Sequence, residues 1–103
     1  MDLTPSYQAL ASEILQHCPA GFASAKLSGS IDDGDVATVQ LTYETLDGTL
    51  ERPRVRGVHA FNISNSLFDL QKKMQRPGEQ PWTRFIFTLH GDGKFKFDVE
   101  YDD

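Results

Sequence analysis

The chain has only one cysteine, Cys18, and no long apolar segment among its 103 residues. A single thiol excludes an internal disulfide and is typical of proteins in a reducing compartment. No apolar run exceeds three residues, as at positions 85–87, whereas a membrane-spanning helix needs about 20. Residues 1–5 carry no basic segment followed by an apolar block, so they do not resemble a secretory signal. We therefore expect a cytoplasmic protein that does not contact a membrane.

Basic residues are also scarce, with 10 lysines and arginines against 15 aspartates and glutamates, a formal net charge of -5. Phosphate groups are bound by lysine and arginine, so this balance disfavours direct binding of nucleic acid. It suits a basic protein partner, because complementary charge accelerates association and suppresses wrong partners. The same acidity is equally compatible with a protein that is acidic for solubility alone.

The sequence lacks the spacings that are typical of metal and catalytic sites. His17, His59 and His90 are predicted at a helix end, in a connecting loop and at a hairpin turn, and none has the spacing of a zinc ligand. Residues 32–35, Asp-Asp-Gly-Asp, lack the glutamate that completes a calcium loop, which favours a solvated turn. The chain has neither a phosphate-binding glycine-rich loop nor a nucleophile elbow. We expect no cofactor, no metal site and no enzymatic activity.

The most informative segment is residues 81–101, in which apolar and polar residues alternate and predict two β-strands. The second strand has an apolar face of Phe95, Phe97, Val99 and Tyr101 and a charged face of Lys94, Lys96, Asp98 and Glu100. Residues 90–93, His-Gly-Asp-Gly, favour a tight turn because glycine tolerates positive φ. Burial of each large apolar side chain contributes about 1.5–3 kcal/mol, so we expect the rest of the chain to cover this hairpin.

Two segments predict the covering helices. Pro5 and an apolar stripe predict a helix over residues 5–17, and its inward side chains are Tyr7, Leu10, Ala11, Ile14 and Leu15. A second helix is predicted to begin at an N-cap between residues 62 and 66 and to stop before Pro77. Its inward stripe is Ile63, Leu67, Leu70 and Met74, and Asp69 and Lys73 are expected to pair on its outer face.

The remaining strands complete the predicted fold. Alternation predicts strands over residues 22–31 and 36–43, joined by the turn at residues 32–35. A third strand over residues 49–55 is confined to an edge by Pro53, which lacks a backbone donor. The prediction is a single α+β domain over residues 1–103, an antiparallel sheet of about five strands with two helices packed on one face.

Three short motifs in the C-terminal hairpin resemble the YezG-like immunity family. They are Trp82-Thr83 before an apolar strand, Gly93-Lys94-Phe95 at the turn, and Tyr101-Asp102-Asp103 after the aromatic strand. The resemblance covers this hairpin well and most of the chain loosely. It implies a small cytoplasmic protein of a bacterial polymorphic toxin system, an antitoxin that binds and neutralises a toxin domain, commonly a nuclease.

Carboxylates form the candidate toxin-binding site. They are Asp98, Glu100, Asp102 and Asp103 at the last strand, and Asp32, Asp33 and Asp35 in the first turn. Nucleases hold phosphate with cationic side chains, so an inhibitor can occupy such a site with carboxylates. A solvated strand face and an exposed tail would explain the same residues without a function. Trp82 and Tyr101 are candidate aromatic anchors, although core packing is expected for both.

Two other functions stay open at this point. One is a protein-binding adaptor or chaperone-like module without a toxin partner. The other is a nucleic-acid binder that uses Arg52, Arg54, Arg56 and Phe61. The three arginines would share one face of an extended segment, either as a basic groove for phosphate or an acidic loop, or as charges that protect an edge strand. The leading hypothesis is a monomer or weak homodimer whose partner is a basic toxin nuclease.

Overall fold

The fold is an antiparallel β-sheet with two helices on one side. The computed structural model describes residues 3–32, 35–75 and 77–101, and for residues 32 and 35–38 it describes the backbone only. The elements are α1 (Thr4–His17), β1 (Ser24–Asp32), β2 (Asp35–Glu44), β3 (Leu50–Glu51), α2 (Val58–Met74), β4 (Arg84–His90) and β5 (Phe95–Glu100). This confirms the predicted α+β class with five strands and two helices.

The strands lie in the order β3-β2-β1-β4-β5, and every neighbouring pair is antiparallel. Both predicted hairpins, β1–β2 and β4–β5, are present. In the second hairpin the His90 N–H donates to the Lys94 carbonyl at 2.8 Å, and Gly93 adopts a φ of 92°. The sheet therefore has β1 at its centre, paired on one side with its own hairpin partner and on the other with a strand from the far end of the chain.

One side of this sheet carries the apolar core. Phe87 lies between Leu27 of β1 and Phe97 of β5 in the strand register. The helices contribute Leu10, Ile14, Ile63, Leu67 and Leu70, all fully buried in the same cluster. Trp82 is fully buried, with its ring centroid 5.9 Å from that of Phe85 and 5.6 Å from that of Phe97. The expectation that the helices cover the aromatic face is confirmed only in part, because Phe85 and Phe87 are buried, whereas Phe95 is 46% exposed and Tyr101 is 49% exposed.

The inward face of α1 differs from the predicted stripe. Leu15 is 53% exposed, whereas Ser6 and Glu13 are buried. The reason is that α1 packs against α2 as well as against the sheet, and its contacts with α2 include polar side chains. The Ser6 hydroxyl donates to the Asp69 carboxylate, and Asp69 also pairs with Lys73 as predicted, at 3.0 Å. An inward helix face that is predicted from apolar residues alone does not include the residues of a polar contact between helices.

The chain from β3 to α2 also differs from the prediction. β3 is only two residues long, in place of the strand expected over residues 49–55. α2 begins at Val58, after Gly57 with a φ of 61°, and not at the N-caps expected between residues 62 and 66. His59 therefore lies in a helix and not in a loop. Of the helices in the described part of the chain, neither is long and apolar enough to cross a membrane.

Candidate functional site

The side of the sheet opposite the helices is polar and is here called the open face. Successive side chains of a strand point to opposite faces, so its residues alternate with those of the core. They are Ser24, Lys26, Ser28 and Ser30 of β1, Gln40, Thr42 and Glu44 of β2, Arg84, Ile86, Thr88 and His90 of β4, and Lys96, Asp98 and Glu100 of β5. None of these side chains is buried, so the whole face is accessible to a partner.

The open face holds two of the predicted toxin-binding residues. Asp98 and Glu100 are both exposed and lie opposite Ile86 and Arg84 of β4. The prediction that they share the outer face of the last strand is confirmed. Asp102 and Asp103, which follow on the same segment, lie outside the described residues.

The strand topology brings the two acidic segments to one end of the sheet. The Ile31 N–H of β1 donates to the Thr83 carbonyl at 2.7 Å, and the Thr83 N–H donates to the Glu100 carbonyl at 2.9 Å. Asp32 follows Ile31 directly and pairs with Asp35 in the β1–β2 register. Only the backbone positions of Asp32 and Asp35 are described, and Asp33 lies outside the described residues.

The carboxylates of the open face have basic neighbours. The Arg84 Nε lies 3.5 Å from the Glu100 Oε2, and the Lys96 Nζ lies 3.8 Å from the Asp98 Oδ1. All four side chains are largely exposed, and such pairs contribute only about 0.2–1 kcal/mol each. The open face therefore carries both positive and negative charges. Because its ion pairs are weak, a cation of a partner can replace Arg84 or Lys96 at little cost in free energy.

The open face has exposed apolar side chains at Leu50 of β3, opposite Glu44, and at Ile86 of β4. Ile86 lies beside the acidic residues, and 41% of it is exposed. It borders a shallow groove of about 290 Å³ that Ser28, Arg84, Asp98 and Glu100 also line. An apolar centre with a charged rim is the usual arrangement of a protein–protein contact. Ile86 was not among the predicted site residues, although an isoleucine between Arg84 and Thr88 on the polar side of its strand was a usable signal.

A second polar cluster lies between the helices and was missed by the sequence analysis. The Glu13 carboxylate accepts hydrogen bonds from the Asn62 Nδ2 at 2.9 Å and from the His59 Nδ1 at 2.7 Å. The His17 Nδ1 donates to the Glu13 carbonyl at 2.7 Å, and the two imidazole rings meet edge to face with centroids 5.0 Å apart. Because a carboxylate and a carbonyl only accept, each Nδ1 carries a proton. Sequence spacing cannot reveal such contacts between two helices.

This cluster has a structural role. Burial of Glu13 pushes its pKa upward, but the hydrogen bonds from Asn62 and His59 and the charges of both histidines outweigh burial, so the pKa is lowered overall. Glu13 thus remains ionised and joins α1 to α2. Among residues 3–32, 35–75 and 77–101, no three histidine, cysteine, aspartate or glutamate side chains are grouped so as to hold a metal ion.

The two candidate aromatic anchors and the single cysteine differ in how exposed they are. Trp82 is buried in the core, as expected, whereas Tyr101 is 49% exposed, so core packing was the wrong prediction for it. Cys18 is half-buried, and burial raises the pKa of its thiol. A raised pKa disfavours the reactive thiolate. Trp82 is therefore not part of an accessible site, and the Cys18 thiol shows no sign of activation as a nucleophile.

No protein-family model matches the chain, and no curated protein matches it significantly.

Proposed function

We propose that this protein is an immunity protein that binds a bacterial toxin domain through the acidic end of its open face. The observation that carries the proposal is the placement of Asp98 and Glu100 around the exposed Ile86, at the sheet end that also holds Asp32 and Asp35. An exposed apolar side chain within a charged rim is suited to a desolvated protein contact.

The partner that fits this surface is a basic domain, in agreement with the net charge of -5. Lysine and arginine side chains of a nuclease would take the places of Lys96 and Arg84 beside Asp98 and Glu100. Pairs that become buried in this way control the dissociation rate, whereas charges at the rim mainly control the association rate. Binding there would neutralise the toxin by occluding its active site or an exosite, and it needs no cofactor.

The sequence resemblance to the YezG-like immunity family supports the same function. Its motifs at Trp82-Thr83 and Gly93-Lys94-Phe95 coincide with the start of β4 and with the β4–β5 turn. We propose that the protein acts in the cytoplasm, where a nuclease toxin would meet its nucleic-acid substrate.

The test is capture of the partner from the source cells with the tagged protein, followed by mass spectrometry and an activity assay. We expect one stoichiometric basic polypeptide that arrests growth when it is expressed alone. Co-expression with the protein should restore growth. The double variant Asp98→Lys/Glu100→Lys should bind this polypeptide at least about a hundredfold more weakly, because like charges that meet in an interface cost several kcal/mol.

The control is Glu51→Lys/Glu79→Lys, which makes the same change in net charge away from the open face. Both side chains are exposed, and Glu51 lies opposite Tyr43 on the other side of the sheet. This variant should bind and protect like the wild type. Equal loss in both variants would show a general charge effect and contradict a specific surface. Capture of a non-toxic housekeeping complex would instead support an adaptor function.

A further inference from the structure

A second surface lies at the β2 edge of the sheet and is here called the arginine groove. It is a cavity of about 340 Å³ between residues 39–41 of β2 and residues 52–56. Arg52, Arg54 and Arg56 are exposed, whereas Pro53 and Val55 are half-buried. The segment therefore alternates like a strand and directs its three cations outward.

The strand register explains why this groove exists. The Thr45 N–H donates to the Thr49 carbonyl at 2.9 Å, and Tyr43 lies opposite Glu51. Hydrogen-bonded pairs alternate along an antiparallel ladder, so the next such pair would join Leu41 to Pro53. Proline has no N–H to donate. The ladder stops at Glu51, and no backbone hydrogen bond joins the described residues 52–56 to β2.

The same alternation directs the backbone N–H and carbonyl of Val39 towards the groove, whereas those of Gln40 point to β1. Val39 is half-buried and Gln40 is exposed, so this part of the edge can be reached from solvent. Leu41 is 2% exposed and is already covered. An unpaired edge of this kind is a template for a further strand.

Within the described part of the chain, the three arginines have no anionic partner. None of them forms an ion pair or a side-chain hydrogen bond with another residue of the described chain. Three uncompensated guanidinium groups at alternate positions match carboxylates that also recur at alternate positions, since both segments are extended. Their concentration is notable in a chain with an excess of acidic residues.

We propose that the arginine groove binds an extended acidic segment of a partner protein, which pairs with the edge of β2 as an additional strand. Backbone hydrogen bonds to Val39 would provide affinity, and Arg52, Arg54 and Arg56 would select alternate glutamate or aspartate side chains. This site is separate from the acidic end of the open face, and it stands whether or not the toxin-binding function is correct.

The groove suits a peptide better than a nucleic acid. Proteins that bind single-stranded nucleic acid stack its bases on aromatic side chains. The side chains of residues 39–41 and 52–56, which line the groove, include no aromatic ring. Phe61, which the sequence analysis grouped with the arginines, lies on α2 and does not line it.

The experiment uses the full chain and a short fluorescein-labelled peptide in which glutamate alternates with threonine and valine. Fluorescence anisotropy should show binding at low ionic strength that weakens as salt is added, because exposed charges are screened. The variant Arg52→Gln/Arg54→Gln/Arg56→Gln should bind the peptide on the order of tenfold more weakly, the combined effect of three exposed charge pairs. A charge-reversed peptide, with lysine in place of glutamate, should not bind.

Amide hydrogen exchange tests the strand pairing separately. Peptide binding should slow exchange at the Val39 amide, whereas the Gln40 amide, which already faces β1, should change little. The matched control Lys72→Gln/Lys94→Gln/Lys96→Gln removes three exposed cations of α2 and the β4–β5 hairpin, away from the groove, and should leave peptide affinity unchanged. Equal binding by the arginine variant, no protection of Val39, or tighter binding of a single-stranded oligonucleotide would each overturn the proposal.

Discussion

The two faces of the sheet have different roles, and neighbouring residues of one strand lie on opposite faces. Phe87 is fully buried among Tyr7, Phe95 and Phe97, whereas Ile86, the preceding residue of β4, is 41% exposed on the open face. Side chains on one face determine stability, and those on the other are free to determine recognition. A binding surface built this way can change its residues without loss of the fold.

The sharpest test of this comparison replaces each of the two neighbours with alanine. We expect Phe87→Ala to lower the free energy of unfolding by about 3–5 kcal/mol, because it leaves a cavity in the core. Ile86→Ala should cost about 0.5 kcal/mol, the usual range for exposed positions. Urea unfolding followed by circular dichroism measures both. Similar losses for the two variants would contradict the division between the faces.

Two glycines of the β4–β5 turn also differ in how closely the rest of the chain packs against them. A Cβ at Gly91 would lie 2.3 Å from the Phe22 carbonyl oxygen, whereas a Cβ at Gly93 would meet nothing within 4 Å. Gly91→Ala should therefore cost about 2–3 kcal/mol through overpacking. Gly93→Ala should cost about 1 kcal/mol because of its φ of 92°. Thermal and urea unfolding would rank them, and asparagine, which tolerates positive φ, should be accepted at 93 but not at 91.

The polar contact between α1 and α2 shows that a buried side chain need not be apolar. Glu13→Gln should lower the free energy of unfolding by about 1–2 kcal/mol at pH 7, because the amide has only one acceptor oxygen: one of the hydrogen bonds from Asn62 and His59 is lost and the other is no longer charge-assisted. The folded pKa of Glu13 lies below its ordinary value of 4.5. Its contribution is therefore present above pH 4.5 and is lost as the pH falls through the folded pKa. Urea unfolding of both proteins from pH 7 to pH 3 should show the difference shrinking towards zero at the acid end.

The smallest effect is expected for an ion pair on the open face. Glu100→Gln removes the carboxylate that pairs with the Arg84 Nε and should change the free energy of unfolding by less than about 1 kcal/mol. The difference should decrease further as salt is added. Urea unfolding at low and high ionic strength measures it. A larger loss that salt does not affect would show that Glu100 stabilises the fold, and the open face would then be less free to vary.

The sequence predicted the parts of the fold that depend on local patterns. Alternation in residues 81–101 located β4 and β5, and the stripe of Ile63, Leu67 and Leu70 identified the buried face of α2. Contacts between distant elements were not accessible. The Glu13–His59 hydrogen bond, the start of α2 without a polar N-cap, and the exposure of Leu15 all depend on how α1 and α2 pack.

The candidate site shows the same limit. Strand alternation placed Asp98 and Glu100 on one face, and the position of Pro53 explains why the predicted third strand stops at Glu51. Only the strand order shows that Ile86 lies between β1 and β5, or that the turn after β1 and the end of β5 meet at one end of the sheet.

The position of β4 between β1 and β5 has a consequence for synthesis on the ribosome. β1 pairs with β4 from Ser24–His90 to Ser30–Arg84, so the centre of the sheet joins an early segment of the chain to a late one. Until β4 leaves the exit tunnel, the nascent chain has an unpaired β1 edge and lacks Phe85, Phe87 and Trp82, the largest side chains of the core. Formation of such long-range pairs is slow and exposes aggregation-prone surface. Synthesis that stalls before β4 should therefore give an unfolded, protease-sensitive fragment, and functional protein should accumulate only after β4 and β5 have been made.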